Sequence, residues 1–241
     1  MIVVFTGLPG AGKSLKLADT LLNVLARNRK IFRKNVKLYK EGKIDTVPPR
    51  RVLWTNLKFA QKVYDEFPNY IQDWNDLRQL TPLRDVDVAI DEVATYFDAR
   101  LWETLSLEMR RWLAQHRKFG IEIYCTSQDF AQIDKSFRRL TSNLFLLRKL
   151  FGSGDVSPTR PAPKRIWGFV VVKELDPTTY DEQKSKFASA GAFPTFMWIT
   201  RAMTEVFDTR AEVRLSKALP LHHIEKECED PNCSFHKVVH V

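Results

Sequence analysis

Met1-Ile2-Val3-Val4-Phe5-Thr6-Gly7-Leu8-Pro9-Gly10-Ala11-Gly12-Lys13-Ser14 opens the chain as a short apolar run that breaks into a glycine-rich loop ending in Gly-Lys-Ser. Gly7, Gly12, Lys13 and Ser14 have the spacing of a phosphate-binding P-loop, G-x-x-x-x-G-K-[ST]. Glycines let successive backbone N–H groups converge on phosphate oxygens, the lysine reaches the β- and γ-phosphates, and the hydroxyl ligates Mg²⁺. The expected ATP cradle is therefore Gly7, Leu8, Pro9, Gly10, Ala11, Gly12, Lys13, Ser14 and Leu15. A β-branched strand precedes the loop, and Leu15, Ala18, Leu22 and Leu25 recur at helical spacing after it. Bound phosphates would then meet a helix N-terminus and its partial positive charge. A merely structural glycine turn would need neither flank.

A nucleotide site needs a second half, and Val86-Asp87-Val88-Ala89-Ile90-Asp91-Glu92 supplies it as an apolar strand ending in two carboxylates. In the manner of a Walker B segment, Asp91 would hold Mg²⁺ directly or through water, because that hard cation takes oxygen ligands and keeps several waters. Glu92 would face the γ-phosphate and polarise an attacking water, while Lys13 and the metal offset the developing charge. An isolated Asp-Glu pair is more often a solvated strand end; the P-loop upstream reverses that reading. The adjacent glutamate also points to hydrolysis rather than to a kinase, whose acceptor brings its own hydroxyl.

Glu103 to Phe119 reads as an amphipathic helix with Leu105, Met109, Trp112, Leu113 and His116 near one face, stopped by Gly120. A β-rich run, Ile121 to Gln128, follows. Strand, helix, strand is the crossover of a parallel sheet, whose ligand lies beyond the carboxyl ends of the strands. Gln128 would sit there, level with Asp91 and Glu92, either sensing the γ-phosphate, orienting the water, or capping a turn. The expected fold is α/β: a P-loop NTPase with a mainly parallel central sheet flanked by helices. Antiparallel strands, Phe196 to Ile199 and Thr204 to Phe207 among them, would be added at its C-terminal end.

With these pieces in order, the chain resembles the zonular occludens toxin (Zot) family, which includes assembly ATPases of filamentous phages and is similar to the FtsK/HerA translocases. The resemblance rests on the P-loop, the strand Arg51-Val52-Leu53-Trp54-Thr55-Asn56, the Asp91-Glu92 pair and the His116-Arg117 helix end. It continues through Thr126-Ser127-Gln128, Ile133-Asp134, Arg138-Arg139-Leu140 and the late Phe207-Asp208-Thr209, covering roughly residues 1 to 210. It implies a homo-oligomeric ATPase, in a hexameric ring, that drives viral DNA or virion components in concert with capsid or assembly-complex proteins. Gln128 would be the sensor, and Arg117, Arg138 and Arg139 the candidates for an arginine finger reaching a neighbouring subunit, where a guanidinium stabilises transition-state charge.

Filamentous-phage members commonly carry a membrane span after the ATPase domain, whereas this chain has no run of about eighteen apolar residues. The expectation is a soluble protein of the host cytoplasm, which moves weight from extrusion toward genome packaging. Two domains are expected: an ATPase domain over 1–218 and a Cys/His-rich tail over 219–241. In that tail Cys228, Cys233, His236 and His240 make C-x4-C-x2-H-x3-H, donors suited to tetrahedral Zn²⁺ though not at standard zinc-finger spacing. A disordered tail with incidental histidines is the alternative.

The formal net charge of +9 favours a polyanionic partner, although a protein that binds nucleotide alone can also be basic. Between Arg27 and Lys58 the cations Arg29, Lys30, Arg33, Lys34, Lys37, Lys40, Lys43, Arg50 and Arg51 face only Glu41 and Asp45. That stretch reads either as a phosphate-tracking surface or as a solvated helix and loop. The three cysteines suggest no disulfide framework. The functional expectation is a DNA-translocating or DNA-packaging ATPase of phage morphogenesis. The rivals are a small-molecule nucleotide kinase and a nucleotide-gated scaffold.

Overall fold

The computed structural model describes residues 1–100, 105–152, 168–180, 194–199, 203 and 205–206. In chain order they form β1 (Ile2–Thr6), α1 (Lys13–Lys40), β2 (Leu53–Thr55), α2 (Gln61–Glu66), β3 (Ile71–Asp73), β4 (Asp87–Ile90), α3 (Leu107–Gln115), β5 (Glu122–Ser127), α4 (Lys135–Leu140), β6 (Asn143–Gly152), β7 (Gly168–Leu175) and β8 (Thr195–Ile199). The strands make one eight-stranded sheet in the order β3-β2-β4-β5-β1-β6-β7-β8. β1 to β6 run parallel, and β7 and β8 are added antiparallel. The mainly parallel P-loop NTPase sheet and its antiparallel additions are as the sequence predicts.

Strand periodicity splits the core into two layers. On β1, Ile2 and Val4 join one buried cluster while Val3 and Phe5 join the other, because successive side chains point to opposite faces. β4 and β5 repeat the pattern: Val88, Ile90, Ile123 and Cys125 face one side, Ala89 and Tyr124 the other. Met109, Trp112 and Leu113 of α3 and Phe137 of α4 cover the first face; Leu17, Ala18, Leu21, Val24 and Leu25 of α1 and Val63 of α2 cover the second. A strand covered on both sides must be apolar throughout, and β1 is buried along its whole length.

α1 is 28 residues long and its buried positions end at Asn28. There Asn28 Nδ2 donates to Asp87 Oδ2 at 2.7 Å, and Arg51 Nε and Nη2 donate to Asp87 Oδ1 at 3.0 and 2.8 Å. A carboxylate with no exposed surface is tolerable because it is paired and fully hydrogen-bonded. The network pins α1 to β2 and β4, and residues 29–40 run on beyond it.

Two elements differ from expectation, and two others, β3 and α2, are not anticipated by it. The helix predicted from Glu103 starts at Leu107 within the described residues, because the Ser106 side chain accepts from Met109 N at 3.2 Å and caps it there. It ends at Gln115, ahead of Gly120; His116 Nδ1 and the Leu113 carbonyl oxygen lie 2.8 Å apart across the exit turn. The edge strand expected over Thr204 to Phe207 is not formed at Glu205 and Val206, which lie in a turn and a bend. The Val206 carbonyl accepts from Ala60 N at 2.8 Å, so this segment packs at the head of α2 rather than beside β8. β3 and α2 are too short for a period to stand out in the sequence.

Candidate nucleotide site

The loop between β1 and α1 is shaped by backbone conformations that side chains resist. Gly7 has φ +152°, and a Cβ there would lie 2.3 Å from the Leu147 carbonyl oxygen of β6. Gly12 has φ +85° and forms the N-cap of α1. No acidic residue occupies the first turn of the helix, so its N-terminal N–H groups and partial positive charge remain available to an anion. Lys13 is 6% exposed, and its Nζ donates to the Leu8 carbonyl across the loop at 3.2 Å. Burial lowers its pKa from the ordinary lysine value, against the opposing charges of Glu92 and Asp91.

The carboxyl ends of β4, β5 and β2 complete the site. Ser14 Oγ donates to Asp91 Oδ1 and Oδ2 at 3.1 and 3.3 Å, which joins the P-loop to the end of β4. Thr126 Oγ1 donates to Asp91 Oδ1 at 2.6 Å and accepts from Glu92 N at 2.9 Å. Asn56, just past β2, brackets the Asp91 backbone: its Oδ1 accepts from Asp91 N at 2.7 Å and its Nδ2 donates to the Asp91 carbonyl at 3.1 Å. Under this bracing Glu92 adopts φ 52°, ψ 60°, a left-handed conformation that costs a residue with a Cβ on the order of 1 kcal/mol or more. Tertiary hydrogen bonds hold the turn that aims the carboxylate.

Burial raises the pKa of Glu92, the Lys13 charge opposes the rise, the Asp91 charge adds to it, and a hydrogen bond with the Gln128 side chain lowers it. Gln128 therefore lies close enough to Glu92 to act on its titration, and is itself exposed. Behind it, Ser127 Oγ donates to the Asp129 carbonyl at 2.9 Å and Tyr180 OH donates to Asp129 Oδ1 at 3.1 Å. That couples the β5 exit to the chain after β7. The hydroxyl–carboxylate pair Ser14–Asp91 offers the hard oxygen donors that Mg²⁺ requires. Among the described residues, no cluster of three or more His, Cys, Asp or Glu side chains forms a metal site.

Lys13, Ser14, Asp91, Glu92 and Gln128 are therefore brought together. The arginines are elsewhere. Arg117 Nη2 donates to Ser142 Oγ at 3.1 Å, and Ser142 N bonds the Ile2 carbonyl, so Arg117 lies at the amino edge of the sheet, away from the P-loop. Arg138 is half-buried with its guanidinium 6.0 Å from the Phe130 ring, and Arg139 is exposed on the same short helix. Cys228, Cys233, His236 and His240 lie outside the described residues, as do Asp208 and Thr209. Asn56 and Thr126 were visible in the sequence as strand-end polar residues, but their role as braces comes from β2 and β5 flanking β4. Among the described residues, no helix is long and apolar enough to cross a membrane.

Comparison with solved structures finds matches at low identity. The N-terminal domain of zonular occludens toxin from Neisseria meningitidis shares 18% identity over 86% of this chain and 98% of its own, with a TM-score of 0.49. B204, the DNA-packaging ATPase of Sulfolobus Turreted Icosahedral Virus, shares 14% over 73% and 97%, with a TM-score of 0.41. The flagellar accessory protein FlaH from Methanocaldococcus jannaschii shares 11% over 73% and 77%, at 0.40. No curated protein sequence matches the chain. The family model for zonular occludens toxin (Zot) matches residues 1–154, more than half of the 241, and carries the P-loop, the Asp91-Glu92 strand and Gln128 within it: the chain belongs to the Zot family.

Proposed function

We propose that this protein is an ATP-hydrolysing motor of phage or virus morphogenesis that translocates or packages viral DNA. The observation that supports the ATPase reading best is the continuous cluster from Ser14 through Asp91 and Thr126 to Glu92 and Gln128, set beside a buried Lys13. The P-loop N–H groups and Lys13 would bind and orient the β- and γ-phosphates. Mg²⁺ held by Ser14 and Asp91 would supply charge neutralisation on the phosphate oxygens. Glu92 takes a proton from water as the water oxygen bonds to the γ-phosphorus; the bond to the β–γ bridging oxygen breaks, giving ADP and inorganic phosphate. Gln128, bonded to that same carboxylate, fixes its orientation and with it the water. Lys13 offsets the charge that accumulates on the transferring group.

The DNA half of the reading is supported by membership of the Zot family and by the net charge of +9. A homo-oligomeric ring, with Arg117, Arg138 or Arg139 serving a neighbouring site, belongs to the same proposal, as does a cytoplasmic place beside capsid or assembly proteins. Residues 1–218 are taken as the ATPase domain and 219–241 as a separate tail. Zinc on Cys228, Cys233, His236 and His240 is a proposal from their spacing alone, decided by elemental analysis of the purified full chain. The test of the motor is steady-state ATP hydrolysis with and without single- and double-stranded DNA, with Glu92→Gln as control. DNA-stimulated turnover that vanishes in Glu92→Gln is expected. Hydrolysis indifferent to every DNA would overturn the motor and favour a scaffold.

A further inference from the structure

The far half of α1 is built differently from the half that holds the P-loop. Past Asn28 the helix carries Lys30, Arg33, Lys34, Lys37 and Lys40, all exposed. At about 100° per residue these five fall within an arc of about 120°, on the side of the helix opposite the buried Leu17, Leu21 and Leu25. From Lys30 to Lys40 the stripe runs about 15 Å along the axis. Glu41, the nearest acid in sequence, is held by Lys37 at 3.7 Å and Lys43 at 2.7 Å. Among the described residues, Lys30, Arg33, Lys34 and Lys40 are in no ion pair.

This segment is also fixed. Arg29 lies over the Phe67 ring at 4.4 Å and donates to the Glu66 carbonyl at 2.9 Å. The Arg50 guanidinium lies 4.9 Å from the Phe32 ring and 5.0 Å from the Tyr70 ring, clamping the inner side of the helix to the loop before β2 and to the start of β3. A basic stripe therefore projects from a rigid support. Its apolar side is turned inward, and the exposed Ile31 and Tyr39 stand about 80° apart around the axis. The helix so presents no continuous apolar face for insertion into a membrane.

We infer that the solvent face of α1 from Lys30 to Lys40 is a sequence-independent docking surface for the phosphate backbone of DNA, at the opposite end of the helix from the nucleotide site. A stripe of cations without acids matches a rod carrying one negative charge per roughly 1.7 Å. Contacts to phosphate alone let a protein hold any sequence. The surface rests on and deepens the DNA reading above, but its test contains no ATP. A chain that binds DNA here and never hydrolyses ATP would refute the motor and leave the surface standing.

The experiment is fluorescence anisotropy of a labelled duplex with the full chain, titrated between about 50 and 200 mM salt. Replacing Lys30, Arg33, Lys34 and Lys37 together by alanine should weaken binding at low salt at least about tenfold and make the slope of log K against log salt shallower by about 3 to 4. A companion variant with Lys30→Arg, Lys34→Arg and Lys37→Arg keeps the charge and should bind like the parent. Unchanged affinity and slope in the alanine variant would overturn the proposal, as would an equal loss in the arginine variant. So would a loss confined to phosphatidylglycerol vesicles with DNA binding intact, which would make the surface a membrane contact.

Discussion

The two ends of α1 are one continuous helix under opposite physical regimes. At its start, Lys13 is buried, its pKa is depressed by desolvation, and it shares its surroundings with two carboxylates. Twenty residues on, cations of the same kind stand in water. Charge in a desolvated site acts strongly over short distances, whereas exposed charge is screened and acts through number. The near end is suited to stabilising a single phosphoryl group, and the far end to holding many phosphates weakly. Single substitutions should therefore be severe at the near end and slight at the far end.

The largest effect is expected at Glu92: Glu92→Gln should slow hydrolysis by about 10²- to 10⁴-fold, the range for loss of a general base, while binding of a fluorescent ATP analogue persists. Equal losses of binding and turnover would show instead that Glu92 shapes the pocket. Next comes Gly7→Ala, where a Cβ meets the Leu147 carbonyl at 2.3 Å; unfolding should require about 1–3 kcal/mol less, read from denaturant midpoints. Thr126→Val removes the hydroxyl that serves both Asp91 and Glu92 and should lower turnover by roughly 10- to 100-fold. Thr126→Ser should restore it, and a failure to do so would assign the loss to packing.

A smaller effect is a shift in pH profile. The base must be ionised, so the rate falls as pH drops through the Glu92 pKa; burial raises that pKa, so the acid limb should lie above the ordinary glutamate value of about 4.3. Gln128→Leu removes the hydrogen bond that favours the carboxylate and should move the limb higher still. The smallest change is expected at the far end, where Lys30→Ala alone should alter stability by no more than about 0.5 kcal/mol. A larger loss would mean that the Lys30 side chain itself packs against the body rather than standing in water, blurring the contrast between the two ends.

What the sequence made legible follows the same division between local and distant causes. The P-loop and the Asp91-Glu92 strand end are written in residues a few positions apart, where spacing alone carries the chemistry; the helical repeat Leu15, Ala18, Leu22 and Leu25 announces α1, but its buried side centres on Leu17, Leu21 and Leu25, with Leu15 and Leu22 only partly covered. The bracing of Asp91 by Asn56 and Thr126 depends on β2 and β5 lying on either side of β4, and strand order is a long-range property that no local pattern encodes. β3 is three half-buried residues, too short for period-two alternation to stand out. Glu205 and Val206 looked like part of an edge strand because an apolar run cannot say which neighbour it will meet; here Ala60 takes the Val206 carbonyl.

The antiparallel extension carries one more consequence. A Cβ on Gly12 would lie 3.5 to 3.6 Å from Ile199, Val170 and Met197, so side chains of β7 and β8 wall the glycine-rich loop from outside. Those strands lie beyond residue 154, where the family match ends. A fragment cut at that boundary would retain the P-loop, Asp91, Glu92 and Gln128 and lose the wall. It would leave incomplete the buried cluster that Val170, Val172, Met197 and Ile199 share with Leu17, Leu21 and Leu147. An attempt to trim the protein to residues 1–154 should therefore yield a chain that aggregates before it can be assayed, whereas one that runs on past Ile199 should stay in solution.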